Sequence, residues 1–414
     1  MLAKRRPFDD FSSGFSAMSS TTQITRAIRV PDELRVQRAS RAPEFGPRIL
    51  FFSGGTALRP LCRVLKQYTH NSVHLITAFD SGGSSAQLRH AFAMPAIGDL
   101  RNRIVALADE SMRGNPQIYR LFCYRLPAAT PPALRSELEA LISGEHPLVE
   151  DIVEPMRRIV QTHLSFFIER MPVDFDLRGA NIGNLLLAGG FLSHSRDLES
   201  VLFLFSRLLE VRGVVLPIVD GDLHLCADLQ DDSRVVGQHR LTGKEVAAIQ
   251  SPVRGLGLVQ SLSDPMPASV AISDKVRQNI EQADLICYPM GSFYSSVLAN
   301  LLPRGVGRSI AAAGCPRVYI PNTGVDPEQR GMSVADGVEA LLRQARADAG
   351  ADLPLSRVVN LVLLDRDPEN YAMLADVARL DRMGLQVLRL DLVTEASRPY
   401  VHPQRLTEAL LSLT

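Results

Sequence analysis

Hydrophobic runs alternate with amphipathic stretches along most of this chain. "RILFF" (48–52) is a short continuous apolar run closed by "SGGT", the pattern of a strand buried on both faces. "ALRPLCRVLKQ" follows, with Leu58, Leu61, Cys62 and Leu65 on one helical stripe, and Pro60 fits there in the first turn. "VHLITAF" (73–79) predicts a second strand, and "SAQLRHAFA" and "DLRNRIVALAD" predict two helices. The second helix carries Leu100, Ile104 and Leu107 on one face, with Asp99 placed as its N-cap. Later apolar runs at 283–289, 317–322, 358–365 and 385–393 predict further strands, with helices over 333–346 and 369–383.

Strands alternating with helices imply an α/β fold: a Rossmann-like, mostly parallel sheet with helices on both faces. Two regions interrupt the rhythm. Residues 110–178 read as a helical insertion, with helices over 133–143 and 149–170. Residues 213–242 alternate and carry the turn signals "DGD" and "DDS", which predicts a small antiparallel β element. "NIGNLLLAGGFLSHS" (181–195) reads as an apolar helix whose glycines permit close packing. Residues 1–46 are a polar, Ser/Arg-rich extension, the first 23 disordered by composition and the rest suited to docking, ahead of an α/β domain over 47–414.

Composition narrows the function classes. Lys+Arg and Asp+Glu both number 45, so no global field favours nucleic acid or a membrane surface. Trp is absent and aromatics make up 6%, which argues against stacking platforms for carbohydrate or single strands. The five cysteines are scattered without a CxxC pair and read as reduced thiols. No secretory h-region or long apolar span occurs, so a soluble, cytoplasmic protein is expected.

Candidate chemistry lies in the loops that follow the strands, where open α/β sheets bind ligands. "SGGT" lets the backbone of Gly54, Gly55 and Thr56 approach an anion, although it lacks the lysine of a P-loop and the spacing of GxGxxG. "DSGGSS" places Asp80, 26 residues after Gly54, where it could hold a ribose hydroxyl or a metal–phosphate, or close an Asx turn. Ser84 and Ser85 could donate to phosphate oxygens or cap the next helix. "GDLRN" clusters Asp99, Arg101 and Asn102 at a helix start, "MGSFYSS" brings Gly291 and Ser292, and "PNTGVDPEQ" brings Asn322. Five polar loops on one sheet edge point to a phosphate or nucleotide site. No GxSxG elbow, HExxH motif or facial-triad spacing is present.

In order, "ILFFSGGTALRPLCRVLK", "ITAFDSGGSSAQLRHAFAMPAIGDLRNRIVALAD", "NIGNLLLAGGFL", "ADLICYPMGSFYSSVLANLLPRGV" and "RVYIPNTGVDPEQRGMSVADGVEAL" resemble the CofD/YvcK family of 2-phospho-L-lactate transferases and gluconeogenesis factors. The extension resembles the GAK-system CofD-like subgroup. The resemblance, over about 48–414, implies a Rossmann-like core with a helical subdomain and a homodimer. One branch transfers a phospholactyl group from a guanylylated donor to a deazaflavin alcohol with Mg²⁺. The other binds nucleotide sugars or dinucleotides without established catalysis. The ligands so implied are GTP/GDP, a UDP-sugar or NADP, with Asp80 as the candidate for Mg²⁺. The resemblance makes Gly54–Thr56 the first phosphate loop and Gly291–Ser292 the second. It sets Asp99 beside the acceptor alcohol, the catalytic position, and makes Asn184 the asparagine of the "GN" helix. Ala57, Ala180 and Met290 stand where the family has Gly, His and Gly.

Overall fold

The computed structural model describes residues 27–111, 114–243 and 246–414; the stretch read as disordered lies outside them. The chain opens a sheet with β1 (Ile49–Ser53), β2 (Val73–Ile76) and β3 (Val214–Pro217). It then builds a small sheet from β4 (His224–Leu229), β5 (Arg234–Val236), β6 (Val253–Val259) and β7 (Pro267–Ala268). It returns to the first sheet with β8 (Leu285–Tyr288), β9 (Arg317–Tyr319), β10 (Leu361–Asp365) and β11 (Gln386–Leu390).

The large sheet has seven strands in the order β11-β10-β9-β8-β1-β2-β3, all parallel. This is the doubly wound order extended by one strand, and the winding reverses between β1 and β8. The α/β reading therefore holds. Side chains along β1 explain why both faces must be covered. Ile49 and Phe51 pack into one core with Leu61, Leu100 and Ile104, while Leu50 and Phe52 pack into the other with Tyr288, Leu298 and Val338. Each fully buried side chain of this size contributes roughly 1.5–3 kcal/mol, so a polar residue anywhere in β1 would cost one core or the other.

Three local readings are corrected. Residues 214–217 do not join an antiparallel meander; β3 extends the parallel sheet beside β2, with Val73 opposite Val214. The antiparallel sheet, order β5-β4-β6-β7, instead recruits β6 and β7 from beyond residue 242. The helix expected over 149–170 is a short turn, Pro147–Glu150, and a helix, Met156–Arg170, with Pro155 between them because proline cannot donate within a helix. The helix expected over 369–383 spans only Val377–Arg382.

Helices Pro116–Cys123 and Met156–Arg170 pack against the apolar helix Ile182–Ser193, and Pro131–Ser143 packs on Met156–Arg170. Residues Glu33–Arg41 form a helix docked on the C-terminal helix Pro403–Ser412, where Asp32 N–H donates to Ser412 Oγ at 2.7 Å. Among the described residues, no helix is long and apolar enough to cross a membrane.

Candidate functional site

The turn after β1 is built by exclusion of side chains. A Cβ on Gly55 would lie 2.7 Å from Asp99 Cα, and one on Gly54 would lie 2.6 Å from Ser296 Oγ. Only glycine lets the backbone pass between the helix Gly98–Leu107 and the segment after β8. Arg103, fully buried, braces the turn from below: its Nη2 donates to Gly54 O at 2.6 Å and to Ser53 Oγ at 3.2 Å.

The loop after β2 is held on two sides. Asp80 Oδ1 accepts from Gly82 N–H at 3.1 Å, the Asx turn that the sequence allowed. Arg89 Nη1 donates to Asp80 O at 3.0 Å while its Nη2 pairs with Asp222 at 2.6 Å, tying the loop to the small sheet. The helix Gly83–Phe92 starts after Gly82 without a side-chain cap, so neither Ser84 nor Ser85 acts as one. Ser84 Oγ accepts instead from Asn184 Nδ2 at 3.3 Å.

Asp99 does not cap its helix. The cap position is Ile97, and Asp99 is the second residue of the helix, against Gly54 and Gly55. Two residues on, Arg101 donates from Nε to Asn184 Oδ1 at 3.3 Å. Burial, then the nearby Arg125 guanidinium, pull Arg101 down to about 10. Asn184 lies in the first turn of its helix, where its N–H donates to the cap Asn181 at 3.2 Å.

The turn after β8 is furnished differently. Asn322 Oδ1 accepts from Gly291 N–H and its Nδ2 donates to Gly291 O, both at 2.8 Å. Its amide is therefore committed to buckling two loops together, a role the sequence reading did not give it. Gly291 has φ +144, a conformation that side chains disfavour. The following residues, Phe293–Val297, form a π-helical turn. Phe293 N–H donates to Asp326 Oδ2, and Tyr294 and Ser295 N–H both donate to Glu328 Oε2, all at 2.8 Å. Ser295 Oγ donates to Glu328 Oε1 at 2.6 Å. The buried Glu328 carboxyl is pushed above its ordinary range by desolvation and then by Asp326.

These pieces enclose one cleft of about 860 Å³ at the carboxyl ends of β1 and β8. Gly54, Gly55, Thr56, Asp80, Ser84, Ser85, Asp99, Asn102, Asn184, Gly291, Ser292 and Asn322 all line it. Sequence reasoning missed three contributors, one of them Arg125, after the helix Pro116–Cys123. Gln238, His239, Thr242 and Gly243 come from the short segment after β5, where His239 Nδ1 lies 2.8 Å from Ser81 Oγ. The glycines bracketing "GQHRLTG" were the available signal. Tyr400, Val401 and Pro403 come from the chain's end. Among the described residues, no three His, Cys, Asp or Glu side chains cluster as metal ligands. Asp80 is a single carboxylate with one oxygen already engaged, which suits a Mg²⁺ that arrives with ligand phosphates and keeps most of its ligands from them and from water.

The comparisons agree with this geometry. The family model described as 2-phospho-L-lactate transferase CofD matches residues 49–395. A protein from Bacillus subtilis (strain 168) named gluconeogenesis factor is 28% identical over 88% of this chain and 97% of its own. A gluconeogenesis factor from Listeria monocytogenes is 25% identical over 89% of this chain and 96% of its own. The crystal structure of a UPF0052 family member from Bacillus halodurans, 24% identical, superposes with a TM-score of 0.65 over 89% of this chain and 99% of its own, which shows the shared fold. With a match spanning the whole Rossmann-like sheet and both sides of the cleft, this chain belongs to the 2-phospho-L-lactate transferase CofD family.

Proposed function

We propose that the cleft binds a nucleotide ligand with a diphosphate, such as a UDP-sugar, NADP or a guanine nucleotide, seated on the Gly54–Thr56 turn. The observation that carries this reading is the turn's position. It lies at the reversal point of a parallel sheet, is stripped of side chains by Asp99 and Ser296, and opens into a cavity of nucleotide size. The uncapped start of the helix Gly83–Phe92 supplies a second set of amides for phosphate oxygens. Asp80 would hold a Mg²⁺ that neutralises phosphate charge. We take the relatives' name, gluconeogenesis factor, as favouring the branch that binds a ligand without established catalysis. Calorimetric titration of the full chain with UDP-glucose, GTP and NADP, each with Mg²⁺, tests the reading. Saturable one-to-one binding of one of them is expected, and no binding of any would overturn it.

A transfer reaction is the second reading, and the placement of Asp99 favours it. An alcohol oxygen would attack the phosphorus of the donor's diphosphate. The bond to the nucleoside monophosphate would break, that group would leave with the electron pair, and Asp99 would take the hydroxyl proton. Asp99→Asn would then lose turnover by about a hundredfold or more while nucleotide binding persists. Recovery of the ligand unchanged from wild-type protein, with every alcohol offered, would leave the sensing role alone.

A further inference from the structure

Three arginines near the cleft are nine-tenths buried or more, and their surroundings differ. Arg89 is paired with Asp222. Arg103 is turned beneath the β1 turn onto protein oxygen and sulfur atoms. Arg101 is 8% exposed and lines the cavity. Its Nε has one acceptor, Asn184 Oδ1. Among the described residues no hydrogen bond or ion pair holds its terminal nitrogens, which, unlike Arg103 Nε, are not sealed off and so open onto the cavity. Burial and then Arg125, another lining residue, disfavour its charge, as Arg59 does, and Cys123 and Asp99 offset only part of this. A guanidinium largely withdrawn from water and set beside like charge gains when a bound ligand supplies an anion to its open face.

The neighbours of Arg101 are donors. Arg125 gives Nη1 to Gly179 O and has other nitrogens to offer. Ser84 and Asn184, hydrogen-bonded to each other, line the same cavity. Contacts order the cleft from one end to the other. Ser296 touches the Gly54 position, Gly54 and Gly55 touch Asp99, and Arg101 follows Asp99 to reach Asn184, which in turn donates to Ser84. Asp99 thus divides the cleft, with the β8 turn on one side and the arginines on the other.

We propose that Arg101 and Arg125, with Asn184 and Ser84, form a second oxyanion subsite across Asp99 from the β8 turn, which takes a phosphate or carboxylate group on the non-nucleotide part of the ligand. The planar fork of Arg101, steadied at Nε by Asn184, presents two parallel N–H groups to such an anion. The inference rests on the nucleotide reading for what the ligand is, and not for where the anion sits. It predicts that a ligand with an oxyanion at its far end binds more tightly than its uncharged counterpart.

The test uses the full chain, with inorganic phosphate and acetate as probes. Phenylglyoxal labels accessible arginines, and mass spectrometry maps the label. Protection of Arg101 by phosphate marks a phosphoryl subsite, and protection by acetate a carboxylate subsite. Phosphate titrated in the presence of UDP should bind about tenfold more weakly to Arg101→Gln than to wild type, with Arg101→Lys in between. Label at Arg101 unaffected by both anions, or equal phosphate affinity in wild type and Arg101→Gln, overturns the subsite. UDP titrated alone separates the two ideas. If it fails to bind while phosphate protects Arg101, the nucleotide reading falls and the subsite stands.

Discussion

The two walls of the cleft share one plan, strand then glycine turn then helix, and use it in opposite ways. On the β8 wall the protein fills the helix start with its own carboxyl groups: Asp326 takes Phe293 N–H, and Glu328 takes those of Tyr294 and Ser295. On the β1–β2 wall the helix Gly83–Phe92 has no side-chain cap, and Arg101 has no carboxylate partner within ion-pair distance among the described residues. A glycine turn before a helix therefore announces an anion site without saying whose anion occupies it. Here the β8 wall is set internally, and the positive character that remains for a ligand lies on the other side of Asp99.

The most disruptive way to break this contrast is Glu328→Ala. It leaves two buried amides and the Ser295 hydroxyl without their acceptor, and a loss of about 2–4 kcal/mol is expected by chemical denaturation. Glu328→Gln keeps an acceptor of the same shape and should stay much closer to wild type. An alanine variant as stable as wild type would show that the internal carboxyl group does not hold the β8 wall. Next in size is Gly55→Ala, whose Cβ must displace Asp99. A cost of about 1–3 kcal/mol is expected in denaturant melts, together with loss of nucleotide binding. Unchanged binding would move the ligand off the β1 turn.

The gentlest change, per pH unit, is a pH dependence. Because the Glu328 carboxyl is raised in the folded protein, the native state holds its proton above the ordinary value of 4.5, where the unfolded chain has released it. Stability from this group is thus present at low pH and is lost as pH rises toward its raised folded value. The slope is at most about 1.4 kcal/mol per pH unit for one group. Glu328→Gln removes that slope, so the variant gains on wild type as pH rises from 4.5 to neutrality. Parallel stability curves for the two proteins would contradict the assignment.

How much of this was legible in the chain follows from where each signal lives. "RILFF" and "ADLICYP" are apolar throughout, so β1 and β8 could be read as doubly covered parallel strands without any partner in view. Strand order could not, because periodicity carries no information on which strand lies beside which. β3 shows the consequence: its alternation with the hairpin that follows hid its place on the parallel edge. The loops were legible as polar and glycine-bearing, and the fold brings all of them to one cleft. Their internal partners were not legible. Asn322 looked like a ligand residue because its two bonds to Gly291 cross 31 positions of sequence. Asp99 looked like a cap because an acid at a helix start usually is one, and only the close approach of Gly55 shows what else holds it there. Arg101 was visible as a charge beside Asp99, but its lack of a carboxylate is a property of the folded cavity.

The central claim is that the Gly54–Thr56 turn seats a nucleotide. The most direct test is the thermal stability of wild-type protein and Gly55→Ala with UDP-glucose, GTP or NADP and Mg²⁺. At a hundredfold the dissociation constant, the bound nucleotide should stabilise the wild type by about 2.7 kcal/mol and leave the variant unmoved. No shift of the wild type with any of the three, or an equal shift in both proteins, would contradict the account.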